Sequence, residues 1–362
     1  MATIYDVAAR AGVSVKTVSR VLNGEGPVGE RTRAAVEAAI RDLDFVPSHA
    51  ARSMCGGRSG LVGLITGAIS SAPHPGEPAG LPDILIVQGI QHVLAEAGMT
   101  LMIADTAHQP DRVPHLVQTF LRHRVEGLVY VANYHRKVAL PNMPRGTPLV
   151  LANCLDAAGT PAVIPDDRRA AAMLAGRLIA AGHRRIGFLT LREGLIATGL
   201  RLQGYRDALE EAGIPYEPRL VRACDLEGRE AEGQVIWDAI DGMLRDADPP
   251  TVLMCGNDRM AMRVYGILRS RGVRVPEDLS VAGHDNHRAI AETLYPPLTT
   301  AELPYAAIGV RAAERLLALI SGAERAEGAE APLLVSGPIH WRASVTERPV
   351  ARVHQLKAVR EE

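Results

Sequence analysis

Thr3-Ile4-Tyr5-Asp6-Val7-Ala8-Ala9-Arg10-Ala11-Gly12-Val13-Ser14-Val15-Lys16-Thr17-Val18-Ser19-Arg20-Val21-Leu22-Asn23 is the stretch whose reading decides the N-terminal fold. Thr3 can cap a helix and Asp6 can reach back to it, a capping box. Ile4, Val7, Ala8 and Ala11 then fall at i, i+3, i+4 and i+7, one apolar face of a short helix. Gly12 ends it, because glycine tolerates the left-handed conformation at a helix terminus. Ser14 caps a second helix whose inner face is Val18, Val21 and Leu22, and Asn23-Gly24 closes it. A third helix, from about Glu30 to Leu43, buries Val36, Ile40 and Leu43. Two short helices across a glycine turn, with a third completing the core, make an all-α helix-turn-helix headpiece.

The second helix leaves Ser14, Val15, Lys16, Thr17, Ser19, Arg20 and Asn23 outside. Short hydroxyls and an amide suit phosphate oxygens, and Lys16 and Arg20 are long enough to reach base edges. By periodicity alone the same helix also fits the solvated side of a small bundle. The order of residues separates the two readings. Ile4-Tyr5-Asp6-Val7-Ala8, Ala11-Gly12-Val13-Ser14 and Thr17-Val18-Ser19-Arg20-Val21-Leu22-Asn23 closely resemble the headpiece of the lactose-repressor (LacI/GalR) family. The match continues through Thr32-Arg33, Ile40, Leu43 and Val46-Pro47.

That resemblance implies a homodimer whose headpieces read the halves of a palindromic operator in successive major grooves. Val15, Lys16 and Arg20 would choose bases; Tyr5, Ser14, Thr17, Ser19 and Asn23 would hold phosphates. After the headpiece, 1–47, come a hinge helix and linker over 48–60. By the resemblance the hinge would fold on DNA, with Ser48, Ala51 and Met54 at the minor groove. Met54 stands where the family usually has a Leu wedge. A plain interdomain linker is the alternative reading of the segment.

The remainder bounds the class of molecule. The chain has 362 residues, 47% hydrophobic and 22% charged, enough for two or three packed domains. Its net charge of −1 argues against a coat for nucleic acid, although residues 1–60 carry eight Lys/Arg against six Asp/Glu. Cys55, Cys154, Cys224 and Cys255 form no CxxC pair, so they read as reduced buried thiols with no zinc site and no disulfide framework. Neither an export signal nor an apolar stretch of about 20 residues is present, which implies a cytoplasmic protein with no membrane partner.

From Leu61 short aliphatic runs alternate with amphipathic stretches. Strands are expected at 61–65, 100–104, 127–131, 149–152, 186–189, 252–255 and 280–283. Helices are expected at 86–97, 112–123, 167–181, 201–212, 230–246 and 258–271. Such alternation gives open α/β sheets with ligand sites at strand C-terminal ends. The family resemblance extends over Ala181-Gly182-His183-Arg184-Arg185-Ile186-Gly187, Arg201-Leu202-Gln203-Gly204-Tyr205, Gly256-Asn257-Asp258, Val275-Pro276-Glu277-Asp278 and Pro296-Pro297-Leu298-Thr299-Thr300. It implies a two-lobed, periplasmic-binding-protein-like sensor over 61–345. The first lobe would take about 61–163 and 302–328, the second about 164–301 and 329–345. Residues 346–362 lack a heptad and read as a disordered tail.

Arg201 matches the family's effector-contacting arginine, whose fork of donors suits hydroxyls or carboxylates. Asn257 offers donor and acceptor together, and Asp285 can accept two hydroxyls. Asn153 and Arg259 join them by spacing. A helix cap or a surface ion pair is the competing explanation for each. The resemblance makes a sugar or sugar derivative the effector, acting allosterically, with release of DNA the more frequent outcome. Two departures stand out: a Pro/Gly-rich loop over 70–82, and Gly283-His284-Asp285-Asn286 where the family has an aromatic before the acid. With three Phe and two Trp, ring platforms for a sugar are few; His74, His284 and Trp237 remain. Asp166-Asp167 reads as a helix cap rather than a catalytic pair. An exported sugar-binding protein would lack residues 1–60, and no nucleophile, phosphate loop or metal motif supports an enzyme, so neither catalytic residues nor a cofactor are expected.

Overall fold

The computed structural model describes residues 2–23, 26–45, 58–67, 81–107, 109–141, 143, 146–225, 229–323 and 331–348. Ser48, Ala51, Met54, Cys55 and His74 lie outside the described residues, as does the 70–82 loop apart from Leu81 and Pro82, which open a helix.

The headpiece comprises α1 (Ile4–Ala11), α2 (Val15–Asn23) and α3 (Glu30–Asp42). The capping box is formed: the Thr3 amide and hydroxyl each donate to Asp6 Oδ2 at 2.7 Å, and the Asp6 amide donates back to Thr3 Oγ1 at 3.4 Å. Gly12 takes φ 66°, the left-handed value its place requires. Val7, Val18, Val21, Val36 and Ala39 make the small core, with Phe45 closing it from beyond α3. Leu22, Ile40 and Leu43 pack at its edge.

Two six-stranded sheets follow. The first contains β1 (Leu61–Thr66), β2 (Thr100–Asp105), β3 (Gly127–Lys137), β4 (Leu149–Leu155), β5 (Ala162–Pro165) and β11 (Leu333–Val335), in the order β11-β5-β4-β3-β1-β2. Helices α4 (Leu81–Glu96), α5 (Val113–Arg122) and α11 (Tyr305–Ser321) cover it. The second contains β6 (Ile186–Thr190), β7 (Val221–Ala223), β8 (Val252–Cys255), β9 (Ser280–Asp285), β10 (Thr299–Glu302) and β12 (Ile339–His340), ordered β12-β10-β9-β8-β6-β7. With it pack α6 (Asp167–Ala180), α7 (Ile196–Glu211), α8 (Arg229–Leu244) and α9 (Asp258–Ser270), besides the short α10 (Arg288–Ala291). Every pairing is parallel except β10 with β12. Each sheet is sandwiched between two apolar clusters, so its central strands are buried on both faces.

The chain passes between sheets three times: between Pro165 and Asp167, between Glu302 and Tyr305, and between Val335 and Ile339. The third corrects the expectation of a crossing near Gly328. Leu333-Leu334-Val335 pairs with Val163-Ile164-Pro165, so the first lobe keeps the chain through β11. Three residues are too few to be read as a strand without their distant partner. The tail also begins later than expected. Thr346 donates its amide to Ser280 Oγ at 3.2 Å and Arg348 to Ala181 O at 2.8 Å, so Thr346–Arg348 are fastened to the second lobe.

Two helix pairs approach through glycine. A Cβ on Gly309 of α11 would lie 2.0 Å from Ile86 O of α4, and one on Gly204 of α7 would lie 2.0 Å from Arg168 O of α6. The second of these glycine crossings sets where Arg201, one turn before Gly204, is held.

Candidate functional site

On α2, Ser14 Oγ accepts the Thr17 amide at 3.2 Å and pairs with the Thr17 hydroxyl at 2.9 Å, so the N-terminus of the helix is capped by its own sequence. Lys16, Arg20 and Ser14 are exposed; Thr17 and Ser19 are half-buried. Val15 is half-buried too, packed on the headpiece core, and so divides its surface between that core and solvent. Tyr5 on α1 is 72% exposed. The backbone of α2 includes Asn23. α2 carries two cations and no carboxylate.

The second constellation lies where β3, at the first lobe, meets the second. The pairing of β3 with β4 shifts register between Val131 and Arg136, a bulge that frees the intervening residues from the ladder. Asn153 on β4 sits beside it at φ 60°, donating Nδ2 to Ala132 O at 2.9 Å and almost wholly buried. His135, 3% exposed, is carried out of the bulge. Its Nδ1 donates to Asp167 Oδ2 at 2.7 Å. The other oxygen of Asp167, Oδ1, accepts Arg201 Nε at 2.7 Å, and Arg201 Nη1 donates to Gly256 O. Three side chains from β3, α6 and α7 therefore form one buried polar chain across the lobe junction.

Asp166 is the cap that the sequence anticipated, accepting the Arg169 amide at 3.1 Å. Asp167 is not. It is fully buried between an arginine and a histidine, and the Asp-Asp pair divides into one cap and one ion-pair member. Burial alone would raise the Asp167 carboxyl, but the Arg201 charge and the His135 hydrogen bond outweigh it and hold the group below its ordinary range.

Asp285, at the end of β9, takes φ 113° and Asn286 takes φ 52°, a strained pair at a strand end. Asp285 Oδ1 accepts the Tyr305 hydroxyl at 3.2 Å. Burial pushes its carboxyl up to about 6, opposed by the Arg201 charge and that hydrogen bond. Asn257 caps α9, its Oδ1 accepting the Met260 amide at 2.7 Å, and Arg259 is half-buried next to it. Asp258, fully buried beneath, accepts Thr300 Oγ1 at 2.6 Å and the His287 amide at 2.7 Å. Burial, then the Asp285 charge, raises it well above the usual carboxylate range. Arg201, Asp285 and Asp167 thus act on one another at the junction, with Arg259 in range of Asp285.

Of the three rings left by the sequence, His284 is wholly buried with Nδ1 donating to Cys255 O at 3.0 Å, and burial and the Arg201 charge push it down to about 3. Trp237 is covered by the Arg271 guanidinium, 4.2 Å above its ring. Besides Tyr305, an aromatic that reaches the junction is Tyr134, on the β3 bulge. It is 39% exposed and lies under the Arg192 guanidinium at 5.7 Å. Burial raises its hydroxyl pKa, and the charges acting on it come from Arg259, Asp225, Arg192 and Asp285, all of the second lobe. Tyr134, His135, Asp167 and Tyr305 are the residues sequence reasoning missed. A cavity of about 840 Å³ opens beside them between Arg136 and Lys137 of β3 and Arg192, Leu195 and Gly199 around the start of α7. None of the five expected effector residues lines it; Gly199 stands two residues before Arg201 on the same helix.

Comparison with known proteins ties the two constellations together. Residues 3–48 match the family described as bacterial regulatory proteins, lacI family, and residues 175–345 match the periplasmic binding protein-like domain. The sucrose operon repressor of Escherichia coli is 33% identical over 341 residues, 92% of this chain and 99% of that repressor. The chain belongs to the LacI family. GalR of Escherichia coli K12 is likewise 33% identical, covering 88% of this chain and 89% of its own. The CelR–cellobiose complex superposes with a TM-score of 0.64 at 30% identity, covering 95% of this chain and 100% of that one. The lac repressor bound to ONPG in its repressed state gives 0.75 at 26% identity, covering 95% and 99%. As a LacI-family member this chain is a DNA-binding transcriptional regulator. Among the described residues no helix is long and apolar enough to cross a membrane.

Proposed function

We propose that this regulator represses carbohydrate-utilisation genes from the cytoplasm as a homodimer on a palindromic operator, and that a sugar or sugar derivative bound at the lobe junction sets its operator affinity. The observation that carries the reading is the junction cluster of the buried Arg201 with the half-buried Asp285 and Asn257, beside Tyr134. It combines a fork of donors, a carboxylate, an amide and one aromatic face, the complement of a hydroxyl-rich ring. Some of the relatives' names agree with it, a sucrose operon repressor and a cellobiose complex among them.

In this reading Lys16, Arg20 and Val15 meet base edges, and Tyr5, Ser14, Thr17, Ser19 and Asn23 meet phosphates. Ser48, Ala51 and Met54 enter the minor groove, and Arg259 and Asn153 complete the effector site. The shut, internally bonded junction corresponds to one lobe angle, and a ligand exchanging for the Gly256 or Tyr305 contacts favours another.

The test is a thermal-shift screen of the full chain against sucrose, galactose, cellobiose and their phosphates, followed by binding of the chain's own promoter region with and without each. One sugar should raise the melting temperature and change DNA affinity, and both effects should be lost when Asp285 is replaced by Asn. A panel in which no sugar shifts either quantity would overturn the proposal.

A further inference from the structure

Asp167 has two oxygens and gives them to different lobes. Oδ2 takes His135 of β3, in the first sheet; Oδ1 takes Arg201 of α7, packed on the second. Both ends are dry: the side chains of His135, Asp167 and Arg201 are 2%, 0% and 5% exposed. The division matters because a carboxylate facing an arginine otherwise takes both oxygens to the fork, in a bidentate pair. Here one oxygen is occupied, so the guanidinium meets Asp167 through Nε alone. Its Nη1 turns to Gly256 O, and the contacts formed leave Nη2 to other partners.

We propose that His135 is a positioning residue: by occupying one oxygen of Asp167 from the first lobe, it fixes the pose in which Arg201 presents its outer amino group, and it does so only while the lobes are closed. The meaning of that pose for a ligand rests on the effector reading above; the mechanical coupling does not. Separation of the lobes withdraws His135 with β3, frees Oδ2, and lets the carboxylate capture the fork in a bidentate pair at the expense of the Gly256 contact. Arg201 thereby senses the lobe angle although it belongs wholly to the second lobe.

The bulge in β3 is what makes this possible. Without the shift between Val131 and Arg136, a regular strand would alternate its side chains between the two faces of the first sheet, and His135 would not reach α6. Nor is His135 replaceable by any polar residue. The contact is made through Nδ1, near the Cβ, so asparagine places its amide nitrogen at the same distance and glutamine does not. His135 Nε2 is buried with no hydrogen-bond partner, a cost that only the Nδ1 contact offsets.

Hydrogen exchange on the full chain, without ligand or DNA, tests the coupling. His135→Leu should speed exchange roughly tenfold or more both in 132–137 and across the lobes in the first turns of α7, 196–203. His135→Asn should restore protection in both. In an Asp167→Asn background, His135→Leu should add nothing across the junction. Should His135→Leu not fold, Asp167→Asn alone carries the reciprocal test, since a change on α6 must then loosen 132–137 in the other lobe. Loosening confined to the mutated lobe, or a His135→Leu effect undiminished in the Asp167→Asn background, would overturn the proposal. A null sugar screen would leave these exchange results standing, so the two failures are distinguishable.

Discussion

Arg201 is the residue on which the sensor's polar chemistry converges, and its partners dictate how it has to be tested. Replacing it by Met leaves the Asp167 charge buried with only His135, and removal of one member of such a pair costs about 3–5 kcal/mol. Arg201→Met is therefore expected to lower the urea midpoint steeply, and adding Asp167→Asn should recover much of the loss; a double variant no better than the single would show that the ion pair is not what holds α7. Asp285 makes a second prediction, through pH. Burial pushes its carboxyl from 3.8 up to about 6, so the folded chain holds a proton that the unfolded chain has already released. That contribution to stability is present at low pH and is lost as pH rises from about 4 to about 6. A ligand hydroxyl that donates to Asp285 is held more strongly by the ionised form than by the protonated one. Effector affinity, measured by calorimetric titration, should accordingly weaken as pH falls from 7 to 5. The buried His284 and His183, pushed down to about 3 and about 4, stay neutral through that window and cannot produce the same profile. An unchanged affinity across it would remove Asp285 from the ligand.

At the scale of elements, the two glycine crossings leave no room for a side chain. A methyl on Gly309 would meet the Ile86 carbonyl, which is helix backbone and cannot turn aside. Gly309→Ala should cost about 1–3 kcal/mol and lower the melting temperature, while the same change at Gly176, which meets nothing within 4 Å, should not. On α2 the prediction concerns DNA: Lys16→Ala should relax preference at one operator position by about 1–3 kcal/mol, read by anisotropy on a set of single-base operator variants. Equal losses on every variant would assign Lys16 to phosphate. These elements also show what the sequence makes legible. α1 and α2 were readable because their caps, Thr3, Asp6, Gly12 and Ser14, act within a few residues. The positions of Asn257 and Asp285 were readable because each sits in a short motif, at the start of a helix or the end of a strand; Arg201 stands inside α7, which begins five residues earlier than its pattern suggested. β5, β11 and β12 were not, being two to four residues long and existing only through pairings such as Leu333 with Val163, some 170 positions away. His135 and Tyr134 escaped for the same reason, since their place depends on a register shift against β4 that no local pattern announces.

For the whole molecule the three crossings decide how a ligand is felt at a distance. Asp166 donates its amide to Val335 O at 3.0 Å and Ser336 Oγ donates to Asp166 Oδ2 at 3.3 Å, so the first and third crossings are bonded to one another. A Cβ on Gly337 would lie 2.4 Å from Glu302 O, which places the third crossing hard against the second. Three crossings tied in this way make a hinge, about which the expected motion is a change of mutual angle between the lobes. If the headpiece responds to that angle, the sugar and the operator compete for or share a single equilibrium, and linkage makes their effects equal in size. The sugar found by screening should change operator affinity by some factor, and saturating operator duplex should change the affinity for that sugar by the same factor and in the same sense. The two titrations, run at one salt concentration because DNA affinity varies steeply with salt, close a thermodynamic cycle. Factors that vary with protein concentration would mean that the sugar acts through the dimer contact and not through the lobe angle. Gly337→Ala then separates the alternatives: a methyl forced against Glu302 O should shift the balance of lobe angles and reduce both factors together, while a ligand acting through dimerisation would leave both factors as they were.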